Sequence, residues 1–285
     1  GAAISCGVQL VQMARGSRCF QECRFNPRFW WDLRRLREIV SFAGWNLVGA
    51  VGLMLRNQGA AILLNLFFGT RVNAAFGIAN TVSSQTVSLS TALSMAFGPE
   101  VTSAEGRGDR ERVLDLTFRF CKIGTLLVLL FAIPLWLEMD YILRLWLKTP
   151  PEYTVELCRL IMLMLVIERF AGGHGTAISA TGRVAGYQVS TGAILVLTFP
   201  LAWLFLKLGY PPPCIGVAFV IAQFLGVLGC VYWARRIVGM PIRTWVTRDV
   251  VPCLAVSALS WAGGVVLQKY MPPSFSRLVA VTFVS

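Results

Sequence analysis

Apolar residues run through this chain in long blocks separated by short polar connections. Complete blocks lie at about 40–68, 74–97, 114–138, 154–180, 185–207 and 214–234. A seventh, at about 249–268, is weakened by Pro252 and several small residues. One partial block ends near Met13 and another begins near Leu278. About 20 apolar residues in a helix cross a hydrocarbon core roughly 30 Å thick. Only helices or closed barrels satisfy their backbone groups in lipid, and no alternating strand pattern appears. The pattern therefore predicts an all-α integral membrane protein. It is a polytopic helix bundle of seven complete transmembrane helices with partial spans at both ends. Residues 1–14 read as the end of a preceding transmembrane helix, 15–38 as a basic, amphipathic connection, and 39–285 as a transmembrane unit that stops inside its last helix. The opening Gly1 and the apolar final residues suit an internal piece of a longer protein.

The connections sharpen this reading. "FFGTRVN", "LKLGYPPP" and "YMPPS" use Gly and Pro as helix stops, and "DYILRLWLKTPPEY" is long enough for a short interfacial helix. One alternate set of connections carries fifteen arginines: Arg15, Arg18, Arg24, Arg28, Arg34, Arg35, Arg37, Arg107, Arg110, Arg112, Arg183, Arg235, Arg236, Arg243 and Arg248. The other set carries six cations: Arg71, Arg144, Lys148, Lys207, Lys269 and Arg277. The positive-inside rule places the first set in the cytoplasm.

Composition agrees with the pattern. The 285 residues are 56% hydrophobic and 14% charged, well below the quarter charged that soluble domains carry. The net charge of +12 would raise nucleic-acid binding in a soluble protein. Here the cations lie between membrane spans, and the Arg-and-aromatic stretch 24–38 reads as lying on the cytoplasmic face with its tryptophans at headgroup level. No nucleic-acid partner is expected. The eight cysteines show no CxxC spacing; Cys19 and Cys23 lie four apart, and with a lone histidine they make a poor ligand set. No metal and no cofactor is expected.

Polar residues inside the spans are the candidates for chemistry. The first complete span holds Asn46, Arg56, Asn57, Gln58 and Asn65. A central arginine costs at least about 2.5–3.5 kcal/mol on insertion, so Arg56 must face a bundle interior or a wet cavity. At about 100° per residue, Arg56 and Gln58 point about 200° apart and cannot share a face, whereas Asn46 falls far from the face opposite Arg56. In the second span Asn73, Asn80 and Ser84 recur at i, i+7 and i+11 and form a stripe suited to lining a path or to close packing. The fourth contains Glu168, Arg169 and His174. Glu168 and Arg169 are adjacent, hence about 100° apart and unfit for a tidy pair on one face. The Gly-Gly-His-Gly run after them suits a hinge or a broken span near a binding site. Glu168 and His174 are the candidates for ion coupling, with a structural role the plainer reading for the lone histidine.

Enzyme signatures are lacking: there is no GxSxG and no Walker-type glycine loop. A membrane-embedded glycosyl- or acyltransferase needs acids or a histidine at the interface, and no such cluster occurs.

"FAGWNLVG" followed by "RNQGAAILLNLFFGTRVNAAFGIANTVSSQ" resembles the polysaccharide flippases of the multidrug/oligosaccharidyl-lipid/polysaccharide exporter superfamily. "ALSMAFGPEVTSAEGRGDRERV", "ILRLWLKTPPEYT", "AISATGRVAGYQ" and "FPLAWLFLKLGYPPP" extend the likeness from about Cys19 to the C-terminus. It is nearest to O-antigen-type lipopolysaccharide transporters. The resemblance implies the C-terminal lobe of a MATE/MOP-type two-lobe transporter, with 15–38 as the cytoplasmic inter-lobe linker. It implies a flippase that carries undecaprenyl-diphosphate-linked oligosaccharide across the bacterial inner membrane by alternating access, for lipopolysaccharide or surface polysaccharide biosynthesis. Its partners would be lipid-linked oligosaccharide, membrane lipids, a polysaccharide polymerase and glycosyltransferases, and it would not be an enzyme. Arg56 is then the first candidate for the diphosphate, with Arg169 and Lys122 behind it and Asn57, Gln58, Asn73 and Asn80 as further substrate-binding candidates. Rival readings are a drug/cation antiporter of the same fold, which needs an acid-lined cavity, a membrane transferase, and a scaffold whose polar residues only pack.

Overall fold

The computed structural model describes residues 7–8, 11–12, 15, 33–272 and 274–284. Most of the expected terminal helix 1–14, most of the 15–38 linker and the Cys19–Cys23 pair lie outside them. The chain divides into two compact units, 1–43 and 44–285. The described part of the first is chiefly the opening turns of one long helix, and the second holds the helical bundle.

Every regular element among the described residues is helical. The long helices are α1 (Leu33–Phe68), α2 (Thr70–Gly106) and α3 (Arg110–Leu137). A short helix, α4 (Met139–Leu147), occupies the connection expected to hold an interfacial helix. Then come α5 (Thr154–Arg169), α6 (Gly172–Ala180), α7 (Ala185–Lys207) and α8 (Cys214–Val238). The last segment is α9 (Ile242–Trp245), a π-helical turn (Val246–Val250), α10 (Val251–Tyr270) and α11 (Phe275–Val284). Of the expected stops, Gly69 (φ 79°) separates α1 from α2 and Gly209 (φ 84°) follows α7. Gly239 ends α8 in the left-handed region (φ 76°), and Gly108 (φ 71°) turns the chain into α3, where the Asp109 side chain accepts from the Arg112 backbone N–H at 3.1 Å.

Five helices are long and apolar enough to cross a membrane: Leu36–Phe68, Arg110–Leu137, Ala185–Lys207, Cys214–Val238 and Ile242–Tyr270. The sequence pattern predicts seven. The other two are helical but depart from a simple span for physical reasons. Helix α2 runs 37 residues with serines and amides through its middle. The expected span 154–180 is broken at Phe170–Ala171 into α5 and α6, just ahead of the glycine run that predicts a break.

Helix α5 packs on α2, α3 and α8, and α8 also packs on α6 and α7, so the broken span sits centrally. One apolar core joins Leu64, Phe76, Ile161, Ile215 and Phe219 from α1, α2, α5 and α8. A second joins Val101, Val113, Ile178 and Val231 from α2, α3, α6 and α8. Large residues such as Leu47, Leu66, Leu197, Leu228 and Leu259 point outward, as they should where the solvent is lipid. Since lipid tails are as apolar as leucine, close packing must hold such helices together, and small residues permit it. A Cβ added to Gly52 would stand 3.2 Å from the Gly192 Cα, so α1 and α7 meet backbone to backbone. At Gly173, a Cβ would fall 2.5 Å from the Thr117 carbonyl oxygen, which seats α6 against α3.

The break in α5–α6 is sealed by neighbouring helices. The carbonyl of Phe170 accepts a hydrogen bond from the Trp245 indole N–H at 3.1 Å, and the Cys230 thiol lies 3.8 Å from the Ala171 carbonyl.

Candidate functional site: a polar cavity among the central helices

Two cavities, of about 540 and 480 Å3, share Glu168, Tyr187, Gln188, Thr191 and Gln223 in their walls and so form one polar region. The first adds Asn46, Arg56, Asn57, Asn80 and Ser83 from α1 and α2. The second adds Arg169, Thr176 and Ser179 at the broken span, and Ser94. The polar side chains of this wall come from α1, α2, α5, α6, α7 and α8, and most are amides and hydroxyls.

Arg56 is 7% exposed. Its Nε donates to the Asn57 Oδ1 at 3.3 Å, and its guanidinium lies 4.9 Å from the centre of the Phe219 ring. A cation over a desolvated ring gains about 2 kcal/mol, which offsets most of an insertion cost of roughly 3 kcal/mol. Arginine has five N–H donors, and the four on Arg56 Nη1 and Nη2 have no acceptor among the described residues. Arg56 itself lines the first cavity. Glu168 lies within electrostatic reach of Arg56, and its carboxylate is already engaged by the Arg169 guanidinium.

That last pairing corrects the sequence geometry. The 100° between adjacent helical residues argues against a Glu168–Arg169 pair, yet one forms. Helix α5 ends at Arg169, so no further turn constrains the arginine, and its long side chain folds back to its neighbour. On α1 the helical geometry holds: Arg56 and Asn46 line one cavity while Gln58 is exposed and lines neither. Asn46 is also tied across the bundle, accepting from the Gln188 amide at 2.7 Å.

The stripe on α2 divides. Asn80 lines the cavity together with Ser83, but Asn73 is half-buried near the start of the helix and lines neither cavity. Ser84 spends its hydroxyl on the Thr81 carbonyl at 2.7 Å. Lys122 is exposed on α3 and lies away from both cavity walls, with Asp249 as its electrostatic neighbour. His174 is fully buried outside the cavities, 4.0 Å from the Cys121 sulfur and edge-on to Phe118 and Trp245. No group of three or more His, Cys, Asp or Glu among the described residues is arranged to hold a metal ion.

Gln188, Gln223, Tyr187 and Thr191 are cavity residues that the sequence pattern does not single out. Gln223 carries a signal of the same kind as Arg56: it is the one amide in α8.

No curated protein and no solved structure matches the chain. The sequence profile of the MatE family matches residues 58–206, which run from the first cavity helix through the broken span to the end of α7 and make up just over half of the chain. A helical bundle with at least five membrane-crossing helices around a polar cavity is what such a transporter requires, and the chain belongs to the MatE family.

Proposed function

We propose that this transporter moves a lipid-linked oligosaccharide across the bacterial inner membrane by alternating access. The observation that carries the reading is the chemistry of the cavity wall. Amides both donate and accept, so Asn46, Asn57, Asn80, Gln188 and Gln223 suit the hydroxyls of a sugar chain. Two guanidiniums face one carboxylate, and that carboxylate is held by Arg169, which leaves a net positive site. The open Nη donors of Arg56 fit the phosphates that join a polyprenol to its glycan. Arg56, Asn57, Asn80 and Arg169 are the substrate-binding residues of this reading. Arg56→Ala in the protein expressed in its native cells should abolish surface glycan at matched membrane abundance. Normal glycan export would overturn the assignment of Arg56.

A drug/cation antiporter is the second reading, because the Glu168 side chain is 39% exposed within the cavity and is the acid such a cargo would need. Glu168→Gln separates the two. A cation antiporter loses transport with that change, whereas a glycan flippase whose Glu168 only braces Arg169 keeps most of it.

A further inference from the structure

The end of the bundle opposite the cation-rich connections holds a separate cavity of about 660 Å3 that the transport reading does not use. We propose that it binds the phosphate of a lipid headgroup.

Its position comes first. The cavity lies where α3 ends, α4 begins, α10 closes its last turn and α11 starts, so four helix ends converge on one level. Helix ends in a membrane bundle mark the interface between hydrocarbon and headgroups. Trp136 and Trp261 meet there edge-on at 6.0 Å, and Tyr141 joins the wall. Such rings concentrate at headgroup depth. Trp261 and Val265 belong to α10, whose Leu254, Leu259 and Val266 are exposed, so one wall of the cavity opens onto the lipid-facing side.

Charge decides the ligand. Three arginines and two acids line the cavity. Arg159 is held by Asp140 at 2.9 Å, and Arg277 by Glu138 at 2.5 Å. Both acids are thereby spent. Arg144 makes no side-chain hydrogen bond or ion pair among the described residues, and it leaves the cavity with one uncompensated cation. Arg277 is committed through its two Nη groups to the Met271 carbonyl and to Glu138, so Arg144 is the cation this wall offers to a ligand. An uncommitted guanidinium on an exposed residue and aromatic walls at interface depth suit a lipid-borne phosphate. The volume is within the roughly 300–1,000 Å3 of small-ligand sites. An outer-leaflet phospholipid and a polyprenyl phosphate offer the same chemistry.

The test uses the full chain purified in mild detergent, with lipid binding read by native mass spectrometry. Dioleoyl phosphatidylglycerol should bind at least about tenfold more tightly than dioleoylglycerol, which has the same chains and no phosphate. Arg144→Gln should weaken phosphatidylglycerol binding about fivefold, the effect of one interfacial cation, with an unchanged melting temperature. Equal binding of the two lipids, or an Arg144→Gln protein that binds phosphatidylglycerol as well as the parent, overturns the proposal. A polyprenyl phosphate that displaces phosphatidylglycerol in an Arg144-dependent way identifies the cargo lipid as the occupant. Failure to displace it identifies bulk phospholipid, and displacement by millimolar inorganic phosphate alone overturns the lipid assignment. None of these outcomes depends on the activity of the central cavity.

Discussion

Two buried arginines in this bundle stand in contrasting settings. Arg277 is 9% exposed and Arg56 is 7% exposed, so burial does not distinguish them. Their partners do. Arg277 gives one Nη to the fully buried Glu138 carboxylate at 2.5 Å and the other to the Met271 carbonyl at 3.1 Å. Gln268 adds a bond to Glu138 at 3.3 Å and one to the Leu137 carbonyl at 2.8 Å. Arg56 has a neighbouring amide and an aromatic face. The first arrangement neutralises its charge with the protein's own carboxylate and ties α3, α10 and α11 together. The second leaves four of five N–H donors without an acceptor among the described residues, on a residue that lines a cavity. A buried charge answered by the protein is architecture, and one beside a cavity without a protein acceptor is what we propose as the place for cargo.

The largest test of that contrast is stability. Arg277→Ala leaves Glu138 buried and uncompensated and should destabilise the fold by about 3–5 kcal/mol. That loss should appear as a clear drop in melting temperature in detergent. Arg56→Ala abandons no carboxylate in the core and should lower stability far less while still ending transport. A thermal loss at Arg56 matching that at Arg277 would erase the distinction between them. The smallest effect belongs to Gln58, two residues from Arg56 but on the exposed side of α1. Gln58→Ala should change stability by less than about 0.5 kcal/mol and leave transport intact. A transport defect there would show that α1 presents a different face to the cargo.

Much of this is legible in the chain itself, for reasons that differ by residue. Helix positions follow from block length, and the divergence of Gln58 from Arg56 follows from helical geometry, because α1 is continuous there. The Glu168–Arg169 pair is not legible. It depends on where α5 stops, and a break is a tertiary outcome to which the glycines only contribute. Glu138–Arg277 carries no local signal at all: 139 positions separate the partners, and each alone reads as a loop charge near a helix end. Gln188 is hidden by its place near the start of a span, where polar residues are ordinary. The amide in the middle of α8 is readable by the rule that exposes Arg56, since both are polar groups that an apolar helix must place somewhere.

The indole of Trp245 gives the broken span a mechanical character. A carbonyl without a partner inside a membrane protein is several kcal/mol out of balance, and the Phe170 carbonyl finds its partner on a different helix, 75 positions away. The elbow beside Glu168 and Arg169 is therefore latched to the segment that leads into α10. The backbone next to Glu168 and Arg169 is thus anchored by a side chain from outside its own helix pair, and Trp245→Phe, which keeps a ring and removes the N–H, takes that partner away.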